Sequence, residues 1–148
     1  MSKRVYELFL FDVYIAVLKI ENVSNRFADA ESLKHDFVSW DSVIREFEIV
    51  GEATNVLIKN NFLDKQNQVV VDLRNLLIHH YFGIDADEIW DVIKNDLQEF
   101  KNLIIQKIDG IEASLKHELV TSIIEENKHL SFIALEIQKL SALTNIVI

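Results

Sequence analysis

The chain contains no proline and only three glycines, Gly51, Gly83 and Gly110, which separate long stretches of periodic apolar residues. Proline and glycine supply most of the turns that join strands, so a chain this poor in both is badly suited to a sheet. The apolar residues between the glycines recur with helical spacing. We therefore predict an all-α fold, and 148 residues with 49% hydrophobic content suit one compact domain.

Charge and cysteine content limit the classes of function. The sequence has no cysteine, which excludes disulfides and thiolate metal sites and fits a reducing cytoplasm. Glu7, Asp12 and Lys19 interrupt the apolar N-terminus, and Glu136 and Lys139 interrupt the tail, so we expect no membrane span. The net charge of −9 disfavours sequence-blind attraction to nucleic acid. Any contact with nucleic acid must then depend on a local cationic site.

The periodicity predicts two long helices in the first half of the chain. The first covers residues 3–22, and Asp29 or Ser32 is the expected N-cap of the second. The second begins near Leu33 and carries one apolar stripe in steps of four and three: Leu33, Phe37, Trp40, Ile44, Phe47, Gly51, Thr54 and Ile58. A glycine inside a helix costs about 1 kcal/mol relative to alanine. We therefore expect another helix to cross close to Gly51.

The second half of the chain predicts further helices. A third helix runs from residue 64 or 67 to residue 82, with Gly83 where a left-handed C-cap is usual. A fourth begins after Asp85, whose partner three residues later, Glu88, would complete a capping box, and it ends near residue 109. Residues 111–148 predict one or two more helices, packed on the same domain or on a partner.

Residues 73–84, LRNLLIHHYFGI, combine polar and apolar residues in an unusual way. A helical wheel puts five apolar residues on an arc that we expect to face the core: Val69, Val70, Leu73, Leu76 and Leu77. On the opposite arc, Arg74 and His79 edge a second apolar strip made of Val71 and Ile78. A solvated face would not carry that strip, so the wheel predicts a contact with another surface.

Arginine and histidine together suit cleavage of a phosphodiester by a neighbouring hydroxyl. Histidine exchanges a proton near neutral pH, and a guanidinium can hold phosphate oxygens through two parallel hydrogen bonds. Arg74 and His79 are five residues apart on one helix and need not meet each other. Two copies of the helix, related by a two-fold axis, could bring the four groups into one cleft.

The sequence from Arg74 to Tyr81, RNLLIHHY, resembles the R-N-x-x-x-H-x-Y motif of the HEPN superfamily, and specifically its HepT-like toxins. Two further segments are similar to that family in order and spacing: residues 43–53, VIREFEIVGEA, and residues 82–93, FGIDADEIWDVI. The resemblance covers roughly residues 1–110. Where the family often has proline and tryptophan before the motif helix, this chain has NQVVVD, and His80 replaces an acidic residue.

The resemblance implies an up-down bundle of four to five helices in residues 1–110 and a homodimer built around the motif helices. Residues 111–148 lie outside the resemblance, and their periodicity predicts a C-terminal helical extension. It also implies a metal-independent ribonuclease toxin without a cofactor, in which the RNA 2′-hydroxyl attacks the phosphate. Arg74 would stabilise the phosphorane, His79 would move the proton, and Asn75 would hold the backbone or phosphate. Tyr81 matches the tyrosine that receives AMP from a MntA-type nucleotidyltransferase antitoxin.

Other interpretations of these residues remain open. Arg74 and His79 could form surface ion pairs or interact with the helix dipole, and Tyr81 could be an amphipathic rim residue. Asp72 either orients the pair or is solvated, and His80 is either packed or shares in the site. Adjacent histidines on a helix point about 100° apart, which argues against a metal site at residues 79 and 80. A non-catalytic nucleotide-binding or protein-docking module is the alternative function.

Overall fold

The computed structural model describes residues 5–79 and 83–146, with only the backbone for residues 142–146. Within these residues every regular element is helical and no strand is present, which confirms the predicted all-α class. In chain order the α-helices are α1 (Glu7–Ser24), α2 (Ala30–His35), α3 (Phe37–Lys59), α4 (Gln68–His79), α5 (Ala86–Asp91), α6 (Leu97–Asp109), α7 (Ala113–Glu126) and α8 (Ser131–Ile146).

Helix α1 lies at the centre of the bundle. Its sequence is apolar on nearly every face, and half of its length is buried: Leu10, Phe11, Val13, Tyr14, Ala16, Val17, Leu18, Ile20 and Ser24. A helix without a polar face is stable only when other helices surround it. Helices α3 and α6 pack along α1, and an ion pair of 2.9 Å between Glu21 Oε1 and Lys101 Nζ joins α1 to α6.

The prediction of one long helix from residue 33 is wrong in one respect, because Asp36 interrupts the helix and divides it into α2 and α3. The backbone of Asp36 is extended (φ −91°, ψ 95°), and its carboxylate caps α3 by accepting a hydrogen bond of 3.1 Å from the Ser39 N–H. Phe37 is consequently 74% exposed and does not belong to the core stripe. The predicted N-cap at Asp29 is confirmed, with Ser32 completing a capping box at the start of α2.

Helices α3 and α4 cross where Gly51 faces Arg74. A Cβ at position 51 would overlap the Arg74 Cβ and lie 2.6 Å from its Cγ and 3.5 Å from its Cα. The close approach predicted at Gly51 is therefore confirmed. Between the two helices, Asn61 adopts the left-handed conformation (φ 65°), which asparagine tolerates better than most residues, and a short 3₁₀ helix (Lys65–Asn67) leads into α4.

The predicted fourth helix contains a change of winding. Asp85 caps its start, as expected, by accepting a hydrogen bond of 2.9 Å from the Asp87 N–H, whereas the capping box expected with Glu88 does not form among the described residues. Residues Val92–Asp96 then form a π-helical turn that joins α5 to α6. The left-handed C-cap expected at Gly83 is wrong, since no glycine in the described residues has a positive φ. The buried residues Ile89, Ile93 and Leu97 follow one another in steps of four through the π turn.

The C-terminal residues form two helices that pack on the same core as the rest of the chain. Ile133, Ile137 and Leu140 of α8 belong to one apolar cluster with α1, α3 and α6. Lys116 of α7 has a side chain only 3% exposed, and its ammonium donates to Asp109 Oδ1 at 3.0 Å. In the part of the chain that is described, no helix is both long enough and apolar enough to cross a membrane.

Candidate active site

Arg74 lies at the crossing of α3 and α4, with its side-chain stem over Gly51. Arg74 can face α3 at this point because glycine at position 51 leaves room for the Arg74 Cβ and Cγ. The side chain is 29% exposed, so the methylene stem is packed while part of the guanidinium reaches the surface. The crossing therefore fixes where the cationic group leaves the core.

Two acceptors hold the guanidinium of Arg74. Its Nη1 donates to Asn75 Oδ1 at 2.8 Å, and its Nη2 donates to Glu52 Oε1 at 3.4 Å. The Nε atom is buried and has no hydrogen-bond partner among the described residues. A guanidinium carries five N–H bonds, so these two contacts leave one further hydrogen on each terminal nitrogen. Each of these hydrogens is available to an oxygen of a phosphate.

His79 is exposed at the last described residue of α4. Five residues along a helix correspond to about 7.5 Å of rise and about 140° of rotation. Arg74 faces α3, so His79 points well away from it, and no hydrogen bond joins the two side chains in the described part of the chain. A single copy of α4 therefore does not bring the two groups to one phosphate.

The supporting residues occupy different places. Asn75 contacts Arg74 directly through its side-chain oxygen. Asp72 is exposed and accepts a hydrogen bond of 3.4 Å from Gln68 Nε2, a neighbour one turn earlier on α4. His80 and Tyr81 lie outside the described residues. Glu52 is the residue whose contact the sequence did not predict, although its position beside Gly51, where the crossing was expected, was an available signal.

The two arcs predicted for α4 are partly wrong. Val71, expected on the outer strip, is 4% exposed and belongs to the interior of its own chain, while Ile78 is 43% exposed as expected. Val69 and Leu76, expected in the core, are 68% and 43% exposed. The contact of Arg74 with Gly51 sets the rotation of the helix and turns Val71 and Leu77 inwards with it. Val69 and Leu76 thus lie exposed on one flank of α4, and Ile78 lies about 160° round the helix from Leu76, on the other flank.

The surroundings of α4 differ in charge from one side to the other. An open groove of about 510 Å³ between α4 and α6 is bordered by the acidic residues Asp96 and Glu99. Arg74 and His79 supply the cationic or proton-exchanging groups of α4. Among residues 5–79 and 83–146, no group of three histidine, aspartate or glutamate side chains is arranged to hold a metal ion.

Comparisons with known proteins agree on one family. The family described as Ribonuclease HepT-like matches residues 15–107. A Methanocaldococcus jannaschii protein named as a candidate RNase is 36% identical over 118 residues, which cover 74% of this chain and 95% of the relative. A second candidate RNase of that organism is 35% identical over 105 residues, covering 68% of this chain and 94% of the relative.

A Thermococcus cleftensis protein named a probable ribonuclease HepT is 31% identical over 103 residues, covering 67% of this chain and 92% of the relative. No solved structure matches the chain. The matched region includes the α3–α4 crossing and the whole of α4. The chain is a member of the HepT-like ribonuclease family.

Proposed function

We propose that this protein is a metal-independent endoribonuclease that acts in the cytoplasm as the toxin of a toxin–antitoxin system. The observation that carries the proposal is the Arg74 guanidinium, held by Asn75 and Glu52 with a further hydrogen on each terminal nitrogen, on the same helix as the exposed His79. Membership of the HepT-like ribonuclease family supports RNA as the substrate.

The reaction needs one proton acceptor, one proton donor and a cation at the phosphate. A neutral His79 takes the proton of the RNA 2′-hydroxyl, and the 2′-oxygen forms a bond to phosphorus. The bond between phosphorus and the 5′-oxygen breaks, which leaves a cyclic phosphate and a 5′-hydroxyl. A second, protonated histidine supplies the proton of the leaving group. The Arg74 guanidinium stabilises the charge that develops on the phosphorane oxygens.

The requirement for two histidines and the separation of Arg74 from His79 together favour a homodimer. In a two-fold pair of α4 helices, His79 of one copy can approach Arg74 of the other copy. Ile78, which is 43% exposed and lies one turn after Arg74 and next to His79, would provide apolar contact at that interface. Val71 is excluded from that surface because it is already buried within one chain.

The acidic composition restricts how RNA reaches the site. With a net charge of −9, and with Asp96 and Glu99 beside the groove between α4 and α6, that groove is unfavourable for RNA, and the substrate has to reach Arg74 and His79 without passing through it. Binding should then depend on few phosphate contacts and show a shallow dependence on salt concentration.

The direct test is RNA cleavage by purified Arg74→Ala and His79→Ala variants, together with growth of cells that express them. We expect each substitution to abolish both cleavage and growth inhibition, and EDTA to leave the wild-type activity intact. Arg45→Ala and His117→Ala are matched controls, because both residues are exposed and lie outside α4. Cleavage by the Arg74→Ala/His79→Ala double variant at the wild-type rate would show that the assignment is wrong.

The proposed antitoxin is a MntA-like nucleotidyltransferase that transfers AMP to the hydroxyl of Tyr81 and releases pyrophosphate from ATP. The added phosphate, two residues along the chain from His79, carries negative charge that would repel an anionic substrate. Mass spectrometry after co-expression with such an enzyme should show the mass of one or more AMP groups on Tyr81, and the Tyr81→Phe variant should stay active and unmodified. An unmodified Tyr81 in a protein that the partner nevertheless silences would exclude this route.

A further inference from the structure

Glu52 contacts the guanidinium of Arg74 from a different helix. The two residues are 22 positions apart, and the 3.4 Å separation of Nη2 and Oε1 joins α4 to α3 beside their crossing at Gly51. The other arginine ion pair among the described residues, Arg45 with Glu48, lies within one helix, and its arginine is 69% exposed. The Glu52 contact thus has the geometry of a brace between two elements.

The neighbouring residues Gly51 and Glu52 act on two parts of the same arginine. Gly51 provides the space that the Arg74 Cβ and Cγ occupy, and Glu52 holds one terminal nitrogen of its head group. Asn75 holds the other terminal nitrogen at 2.8 Å. With Nε buried, rotation of the planar guanidinium would break at least one of these contacts. The two contacts therefore favour one orientation of the plane before any phosphate binds.

We propose that Glu52 is a positioning residue of the ribonuclease site, which acts through Arg74 by fixing the plane of its guanidinium for phosphate. This inference rests on the proposed function. The proposed role does not require Glu52 to donate or accept a proton. Among the described residues its carboxylate contacts Arg74, and its side chain is 59% exposed. An orientation set in advance lowers the barrier because the arginine loses less freedom when the transition state forms.

The Glu52 carboxylate also places a negative charge beside an anionic substrate. Its effect on RNA binding and its effect on turnover are therefore opposite in sign and can be measured separately. Replacing Glu52 with glutamine removes that charge, so RNA should bind as well as before or more tightly. The same change weakens the contact that orients Arg74. We therefore expect Glu52→Gln to lower kcat on the order of 10-fold while KM stays constant or falls.

The measurement is steady-state cleavage of a short RNA by the purified full-length chain. Glu48→Gln is the matched control, since Glu48 lies one turn earlier on α3 and is also paired with an arginine. We expect the control to behave as wild type and Glu52→Asp to recover part of the lost kcat. Wild-type kcat and KM in Glu52→Gln would overturn the proposal, and so would a higher KM with unchanged kcat.

Two further measurements separate positioning from a general effect on folding. The urea midpoint of Glu52→Gln should match that of the wild type, because a partly exposed ion pair contributes little to stability; a clearly lowered midpoint would assign the loss of kcat to folding and overturn the proposal. NMR of the Arg74 side chain should show restricted rotation of the terminal nitrogens in the wild type and faster rotation in Glu52→Gln. Identical spectra would also overturn it. Absence of wild-type RNA cleavage would refute the proposed function, while the NMR result would still test the brace.

Discussion

Replacing Gly51 with alanine tests the crossing of α3 and α4 on which the candidate site depends. The added Cβ would overlap the Arg74 Cβ and lie 2.6 Å from the Arg74 Cγ. Non-bonded carbon atoms prefer about 3.5 to 4.0 Å, so the helices have to separate by about 1 Å or more. The stem of Arg74 cannot swing away, because its Cβ is fixed to the backbone of α4.

The free-energy balance of Gly51→Ala has two opposing contributions. Alanine favours the helix by about 1 kcal/mol relative to glycine. Overpacking at a tight contact costs about 3 kcal/mol at the upper end of the usual range, which applies because the overlapping atoms are close to the backbone. We expect a net loss of about 2 kcal/mol in the free energy of unfolding. A displacement of about 1 Å at Arg74 should lower cleavage by about 100-fold.

Urea denaturation and RNA cleavage measure the two effects. Gly110→Ala is the control, because a Cβ there would lie 3.4 Å from the Lys107 carbonyl oxygen, an ordinary contact. In an Arg74→Gly background the overlap with the Arg74 Cβ disappears, so Gly51→Ala should become neutral or stabilising by up to about 1 kcal/mol. If Gly51→Ala stabilises the wild-type chain as it does the Arg74→Gly chain, the close crossing is refuted.

Three other substitutions test the core. Asp109→Ala leaves the buried ammonium of Lys116 with one partner fewer and should destabilise the protein by about 1 to 2 kcal/mol in urea, whereas Glu125→Ala at an exposed ion pair should change stability by less than about 0.5 kcal/mol. Burial raises the pKa of Tyr14 from 10.0 to about 12, so the native state keeps this proton to higher pH than the unfolded chain does. The contribution of Tyr14 to the free energy of unfolding should be constant below pH 10 and fall between pH 10 and pH 12, and Tyr14→Phe should make the fall over that range smaller; an unchanged slope in the variant would contradict it. Thr54→Val removes a buried hydroxyl that has no hydrogen-bond partner in the described part of the chain and should be neutral or stabilising by about 1 kcal/mol in thermal unfolding, so a clear loss of stability would show that the hydroxyl has a partner.

The sequence predicted the helices, the cap at Asp85 and the close approach at Gly51 because each depends on local chemistry. A glycine within an apolar helical stripe has few explanations other than a neighbouring backbone. The break at Asp36 also had a local signal, an aspartate with Ser39 three residues later. The apolar stripe continues through this capping signal in Leu33 and Phe37, so the periodicity alone does not show the break.

The rotation of α4 could not be obtained from its own sequence. Apolar residues occur on almost every side of this helix, so a wheel defines no unique buried face. The neighbouring helix α3 determines which face of α4 is buried. The space above Gly51 accepts the stem of Arg74, and Val71 is then turned inwards. The contact between Glu52 and Arg74 depends on the same rotation, and helical periodicity alone carries no information about it.

The π turn at Val92–Asp96 has a consequence for insertions and deletions in this chain. A regular helix rotates about 40° past a full turn with every four residues, so a buried series in steps of four should drift off the core. The wider turn absorbs that drift and lets Ile89, Ile93 and Leu97 stay on one side. The segment therefore has more residues per turn than ordinary α-helical winding would need. Shortening the helix by one residue within Val92–Asp96 could be absorbed by a return to ordinary winding, whereas the same deletion inside α6 would rotate Ile104 and Ile108 out of register with the core.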